Sequence, residues 1–98
     1  GDSLNLFGRK VDVFHCPGHC PGNVIFWVQD EKVCFVGDVI FEGSVGRADL
    51  PGGDFETLKH SIQTKVYNLP EDTEIFPGHG ANTTVGGERR NNPFVRPL

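Results

Sequence analysis

Phe14-His15-Cys16-Pro17-Gly18-His19-Cys20-Pro21-Gly22 sets two histidines, two cysteines, two prolines and two glycines between segments that read as strands. Each proline fixes φ and each glycine opens the left-handed region, so the backbone here forms a shaped loop instead of continuing the strand. A loop that follows a strand and carries imidazoles is a place where a scaffold can hold a metal ion or a reacting water. Two later segments, Gly37-Asp38 and Pro77-Gly78-His79-Gly80, have the same character. The three loops are expected to converge on one metal site, of which this chain supplies a part.

Outward from the loop, Val11-Asp12-Val13-Phe14 alternates and is rich in β-formers, so it reads as a strand entering the loop, with a short strand at Leu4-Asn5-Leu6 before it and a turn at Gly8-Arg9-Lys10. On the far side, Asn23 to Gln29 is a near-continuous apolar run whose composition favours a strand buried on both faces. Asp30-Glu31 makes a tight turn, and Lys32 to Val36 returns antiparallel until Gly37 ends it. Asp38 therefore falls just past a strand end. Val39 to Gly53 reads as a long loop, of the length that is more often functional than accidental. Asp54 is a suitable N-cap for a helix in which Phe55, Leu58, Ile62, Val66 and Leu69 lay one apolar stripe on the core. His60 falls on the opposite, exposed side. Glu74-Ile75-Phe76 is a short strand into the last loop, Thr83 or Thr84 caps a short helix to about Asn91, and Phe94 is expected to pack back on the core.

The 98 residues suffice for one modest core. A net charge of −4 with no basic face argues against nucleic acid as a partner, since Arg89, Arg90 and Arg96 are diluted by Asn and Pro. Three cysteines with no Cys-x-x-Cys pair do not make a disulfide framework and fit a reducing, cytoplasmic setting. No apolar run approaches the roughly 20 residues that span a bilayer, so no membrane partner is expected. The chain has no methionine, which fits either removal of an initiator ahead of Gly1 or a piece of a longer protein.

His19, Asp38 and His79 sit at three strand ends. Two imidazoles and a carboxylate suit zinc or a related first-row ion, and a carboxylate can bridge two ions. From spacing alone a second reading stands beside this one: the imidazoles hydrogen-bond loop backbone and Asp38 caps a turn. His15, Cys16, His19 and Cys20 crowd four ligand types into six residues. That spacing is too compressed for the usual closed zinc modules, so the cysteines are expected to pack or lie exposed.

The wording of the loops is more specific than their spacing. His15 to Gly22, Val36-Gly37-Asp38-Val39-Ile40-Phe41, Gly43 to Asp54, Phe76-Pro77-Gly78-His79-Gly80 and Thr83 to Phe94 occur in that order. Together they resemble the C-terminal half of metallo-β-lactamase-fold hydrolases of the glyoxalase II-like (hydroxyacylglutathione hydrolase-like) branch. The resemblance runs from Val11 to the end. It implies an α+β fold, half of an αβ/βα sandwich, with an antiparallel-rich sheet, one main helix and a short C-terminal helix. Residues 1–98 would form a single partial domain.

The same resemblance implies that His19 ligates one metal, His79 a second, and Asp38 bridges the two as the catalytic carboxylate. His15 would stand near the site without touching metal, and Arg47 would orient the site or meet an anionic substrate, unless it simply pairs with Asp49 or Asp54. The implied cofactor is zinc, as two ions, with iron or manganese as substitutes; the implied substrate is a small thioester such as hydroxyacylglutathione. The family's His-x-His-x-Asp-His motif is absent from this chain, Cys16 and Cys20 stand where Thr or Ser is usual, and Asn23 stands where His is frequent.

The parent protein is thus expected to be a metal-dependent thioester hydrolase, and the isolated chain to be inactive for want of about half its ligands. The other readings are a non-catalytic fragment or interaction module of the same fold, or different chemistry on it: iron-dependent persulfide oxidation, or hydrolysis of β-lactams or phosphodiesters. A half-sandwich would leave one apolar sheet face in water, with parts of Ile25, Trp27, Val33 and Phe35 on it. Such a face predicts self-association, or pairing with the missing N-terminal half.

Overall fold

The computed structural model describes residues 2–6, 8–20, 22–49 and 51–98; Pro21 of the first loop and Leu50 of the glycine-rich run lie outside them. Among the described residues, eight strands and two α-helices follow in the order β1 (Asp2–Leu6), β2 (Arg9–His15), β3 (Val24–Val28), β4 (Val33–Gly37), β5 (Ile40–Phe41), β6 (Ser44–Val45), α1 (Phe55–Ser61), β7 (Glu74–Pro77), β8 (Thr83–Thr84) and α2 (Val85–Asn91). Six of the strands make one sheet in the order β1-β2-β3-β4-β7-β8, and β5 and β6 pair separately as a hairpin. The fold is α+β, with antiparallel pairing throughout the large sheet except at β4–β7.

That parallel pair positions the site. A parallel connection needs a crossover, which here is the helix and the segments flanking it, and it sets the C-terminal ends of β4 and β7 side by side. β2 is antiparallel to β3, and β3 to β4, so β2 runs in the same direction as β4 and β7. The loops that follow β2, β4 and β7 therefore leave from one edge of the sheet.

α1 begins as the sequence predicts. Asp54 accepts the Thr57 amide at 3.0 Å, satisfying a donor that the first turn of a helix leaves free. The helix does not continue in α form to Leu69. Over Ile62–Val66 it widens into a π-turn, with the Tyr67 amide reaching the Ile62 carbonyl at 2.9 Å. Tyr67, which the helical stripe left out, is buried, and its hydroxyl donates to the Val95 carbonyl at 2.8 Å. Burial pushes the Tyr67 phenol up to about 12, so it stays a donor at any ordinary pH.

The core lies between this helical segment and one face of the sheet. Leu58, Ile62, Val66 and Leu69 meet Ile25, Cys34, Val36 and Ile75, with Val85 and Val95 closing the end. Three expectations are corrected here. Phe55 is 39% exposed and Phe94 54% exposed; Val95, the next residue, is the one that packs inward. The Val39–Gly53 stretch is not a plain loop, because β5 and β6 fold it back on itself. And β3 is not buried on both faces.

Ile25 is fully buried, whereas Phe26 is 38% exposed and its cross-strand partner Phe35 46%. The open face therefore carries Val11, Phe26, Val28 and Phe35 around a shallow groove of about 270 Å³. Ile25 sits on the covered face, and Trp27, two residues along the strand, shares its side and packs against the core. An apolar run carries no alternation from which to read the parity of a strand, and the register with β4 decided it.

Candidate metal centre

The first loop is clamped from below by α1. The Asp54 amide donates to the Gly18 carbonyl at 2.7 Å, and Ser61 Oγ donates to the Pro17 carbonyl at 2.8 Å. Gly18, at φ +128°, lies so close to the Leu58 backbone that a Cβ would overlap it. Glycine is required there both for its conformation and for the close approach. Cys16 points the other way, into the core, where burial pushes its thiol up to about 12 despite the lowering effect of Lys65. Burial, with Cys16 as a further raising influence, does the same to Cys34. A thiol held protonated and out of reach is a poor metal ligand, and Cys20 is exposed. The cysteines do not join the imidazoles in a local zinc box.

The second and third loops are zipped together by the extension of β4–β7. The Gly78 amide donates to the Gly37 carbonyl at 2.8 Å, and Gly37 takes φ +55° where β4 ends. This brings His79 Nδ1 to 3.1 Å from Asp38 Oδ1. On the other side of the same carboxylate, His19 Nε2 stands 3.7 Å from Oδ2. Each oxygen of Asp38 thus faces a different imidazole. His19 Nδ1 lies 2.7 Å from the Arg47 carbonyl, which can only accept, so Nδ1 carries a hydrogen and Nε2 is the nitrogen turned toward Asp38.

Two glycines make room for this arrangement. A Cβ on Gly78 would stand 3.0 Å from Asp38 Oδ1, and one on Gly46 would collide with the Asp38 carbonyl and crowd His19. His19, Asp38, Phe41, Gly46, Arg47 and His79 line a cleft of about 270 Å³. The convergence of three loops expected from the sequence is therefore present. His15 is exposed at the end of β2 and does not line the cleft. Arg47 contributes its carbonyl to His19, while its guanidinium makes a fork to Asp49 at 3.1 and 3.3 Å. That pairing holds the Asp49 carboxyl below the usual carboxylate range. Of the two partners considered for Arg47, Asp49 is the one it takes. His60 is exposed on α1, as its place in the helix predicts.

The donor set suits a first-row ion: two imidazole nitrogens, one of them freed by a backbone hydrogen bond, on either side of one carboxylate. Among the described residues, no group of three or more His, Cys, Asp or Glu side chains stands close enough together to hold a metal ion.

The sequence pattern of the metallo-β-lactamase superfamily matches residues 1–79. The chain belongs to that superfamily. It is 48% identical over 95 residues to the hydroxyacylglutathione hydrolase GloC of Haemophilus influenzae, an alignment that takes in 97% of this chain and 45% of that protein. Its fold superposes on the crystal structure of the B3 metallo-β-lactamase BLEG-1 with a TM-score of 0.93 at 47% identity, covering 97% of this chain and 46% of the other. It also superposes on TTHA1623 in a di-iron-bound form, with a TM-score of 0.86 at 45% identity and coverage of 97% and 46%. The chain thus spans about half the length of the curated relatives it matches. Among the described residues no helix is long and apolar enough to cross a membrane.

Proposed function

We propose that this chain is the C-terminal half of a metal-dependent hydrolase of the glyoxalase II type, acting on thioesters such as hydroxyacylglutathione. The observation that carries the reading is the Asp38 carboxylate, with one oxygen facing His19 and the other facing His79 at the mouth of a cleft. That arrangement fits a carboxylate bridging two ions, one beside each imidazole. The likeness to GloC favours the thioester over other substrates of the fold. Fold membership alone would not choose between them.

In this reading His19 and His79 would each hold one of two ions, and Asp38 would hold both. Bound there, the metal supplies Lewis acidity toward the thioester carbonyl and acidifies water. The chain's own part is positional. The Arg47 carbonyl locks the His19 tautomer, Gly46 and Gly78 keep the approach to Asp38 clear, and the Arg47–Asp49 pair sits at the rim, where an anionic substrate would meet the guanidinium. Zinc is the metal we assign; the di-iron form of TTHA1623 makes iron the second reading. The compartment we assign is cytoplasmic, in keeping with three unpaired cysteines.

The open sheet face belongs to the same proposal: it is the surface against which the missing half, or a second copy, packs. Metal content after dialysis, measured together with turnover of a hydroxyacylglutathione thioester, tests the assignment. The full polypeptide is expected to hold stoichiometric metal and turn over, and the 98-residue chain alone to be inactive or nearly so. A full polypeptide with neither metal nor turnover overturns the proposal in favour of a non-catalytic module.

A further inference from the structure

The β5–β6 hairpin touches all three residues assigned to the metal. Asp38 enters it. Arg47 leaves it and holds His19 through the 2.7 Å bond to its carbonyl. Phe41 packs beside the His79 ring, with centroids 6.0 Å apart. The neck is tied by the Gly46 amide donating to the Val39 carbonyl at 3.1 Å. The pose of this hairpin therefore sets where the ligands stand relative to one another.

The turn of the hairpin is gripped by two buried polar side chains of α2 and its C-cap. Glu88 is 4% exposed and Asn92 1%. Glu88 Oε1 accepts the Gly43 amide at 3.0 Å and Asn92 Nδ2 at 2.9 Å, while Oε2 accepts the Thr83 hydroxyl at 2.6 Å. Asn92 Nδ2 also donates to the Ser44 carbonyl at 3.0 Å, and its Oδ1 accepts the amides of Phe94 and Val95. Two side chains thus hold Gly43 and Ser44 through one backbone donor and one backbone acceptor. A buried carboxylate kept only to secure a helix would not need to reach a turn 45 residues away. Such a network is costly to desolvate and becomes rigid when every member is satisfied.

We propose that Glu88 and Asn92 are positioning residues: a latch that fixes the β5–β6 hairpin and, through it, the spacing of His19, Asp38 and His79. The inference rests on the metal assignment above only for its effect on metal. Its effect on the hairpin is independent of that assignment.

The test uses the full polypeptide and two readouts. In the metal-free protein, Glu88→Ala is expected to raise amide exchange at Gly46 and to shift the NMR signal of the His19 ring. Titration with Zn²⁺ or Co²⁺ is expected to show about tenfold weaker binding, in the range for loss of a group that orients a ligand. Glu88→Gln, which keeps the acceptor for Gly43 and Asn92, should restore both readouts to within about threefold of the parent. Thr83→Val, a mild change that removes one donor to Glu88, gives the same directions at smaller size should Glu88→Ala fail to fold. Val66→Ala, in the core away from the hairpin, is the control for lost stability. The latch is overturned if Thr83→Val and Glu88→Ala move Gly46 exchange and the His19 signal no more than Val66→Ala does. An altered hairpin with unchanged metal affinity would overturn the link from the latch to the three side chains, whereas a parent protein that takes up neither Zn²⁺ nor Co²⁺ would overturn the metal assignment and leave the hairpin readouts to decide the latch.

Discussion

Ile25 and Phe26 are adjacent in one strand and have opposite fates. Ile25 is sealed in the main core with Leu58, and Phe26, on the opposite sheet face, is 38% exposed. The covered face has helices, a tail and a buried tyrosine over it. The open face carries cross-strand pairs such as Phe35 and Phe76, whose rings lie 5.2 Å apart. Both faces are apolar, so apolarity does not separate core from surface here. What separates them is which face the chain's own helices can reach. In the cleft, too, position comes from the backbone: hydrogen bonds to the Arg47 carbonyl and between Gly78 and Gly37 set His19 and His79 on either side of Asp38.

The largest test of that contrast is Ile25→Ala against Phe26→Ala. The first should cost about 2–5 kcal/mol in chemical denaturation of the 98-residue chain, through lost burial and a cavity; the second should cost under about 1 kcal/mol. Equal losses would mean that the open face is covered after all. Phe26→Ala should act instead on association: light scattering at micromolar concentration is expected to find the parent chain as a dimer or larger and the variant shifted toward monomer. A parent chain that is cleanly monomeric would sink self-association.

Next in size is Gly46→Ala. Forcing a Cβ against the Asp38 carbonyl should cost roughly 1–3 kcal/mol in thermal unfolding. It should also disturb the His19 ring signal, which a loss of core packing elsewhere would leave alone. Thr84→Ala then weakens the cover from one end. Its hydroxyl accepts the Gly87 amide at 3.0 Å, and its loss should lower stability by about 1 kcal/mol.

The smallest effect concerns acid. Hydrogen bonds from Thr57 hold the Asp54 carboxyl below its ordinary value of 3.8. A depressed folded-state value means that the cap contributes above the unfolded value and is lost as pH falls through the folded one. Protection of the α1 amides, taken relative to the intrinsic exchange rate at each pH, should therefore fall as pH drops below about 4, the unperturbed range for Asp. In Asp54→Asn that acid sensitivity should be blunted.

Much of this was legible beforehand. Val11–Phe14, Lys32–Val36 and Glu74–Phe76 carry strand signatures that survive, and the two caps at Asp54 and Thr84 are local chemistry that any context preserves. His19, Asp38 and His79 were findable because each follows a strand in a loop shaped by Gly and, in two of the three, Pro. Tyr67 was missed because a π-turn adds a residue to the helical period, and no spacing rule anticipates where one occurs. Glu88 and Asn92 sat in plain view within the last motif, but what they hold lies 45 and 48 residues away. Phe55 was placed inside by its spacing in the helical stripe and Phe94 by its apolar side chain, yet both stand exposed.

The sequence alone determined most of the elements, their caps, the loops that carry His19, Asp38 and His79, and the family, because those depend on residues within a few positions of each other or on motifs in a set order. Tertiary structure decided the rest. Strand register chose which face of β3 is core, since a shift of one residue exchanges the two faces. The parallel pairing of β4 with β7 placed Asp38 beside His79, a relation between strands nearly 40 residues apart that only the crossover through α1 creates. And the grip of α2 on the β5–β6 turn came from packing, which alone can turn a carboxylate near one end of the chain toward a loop near its middle.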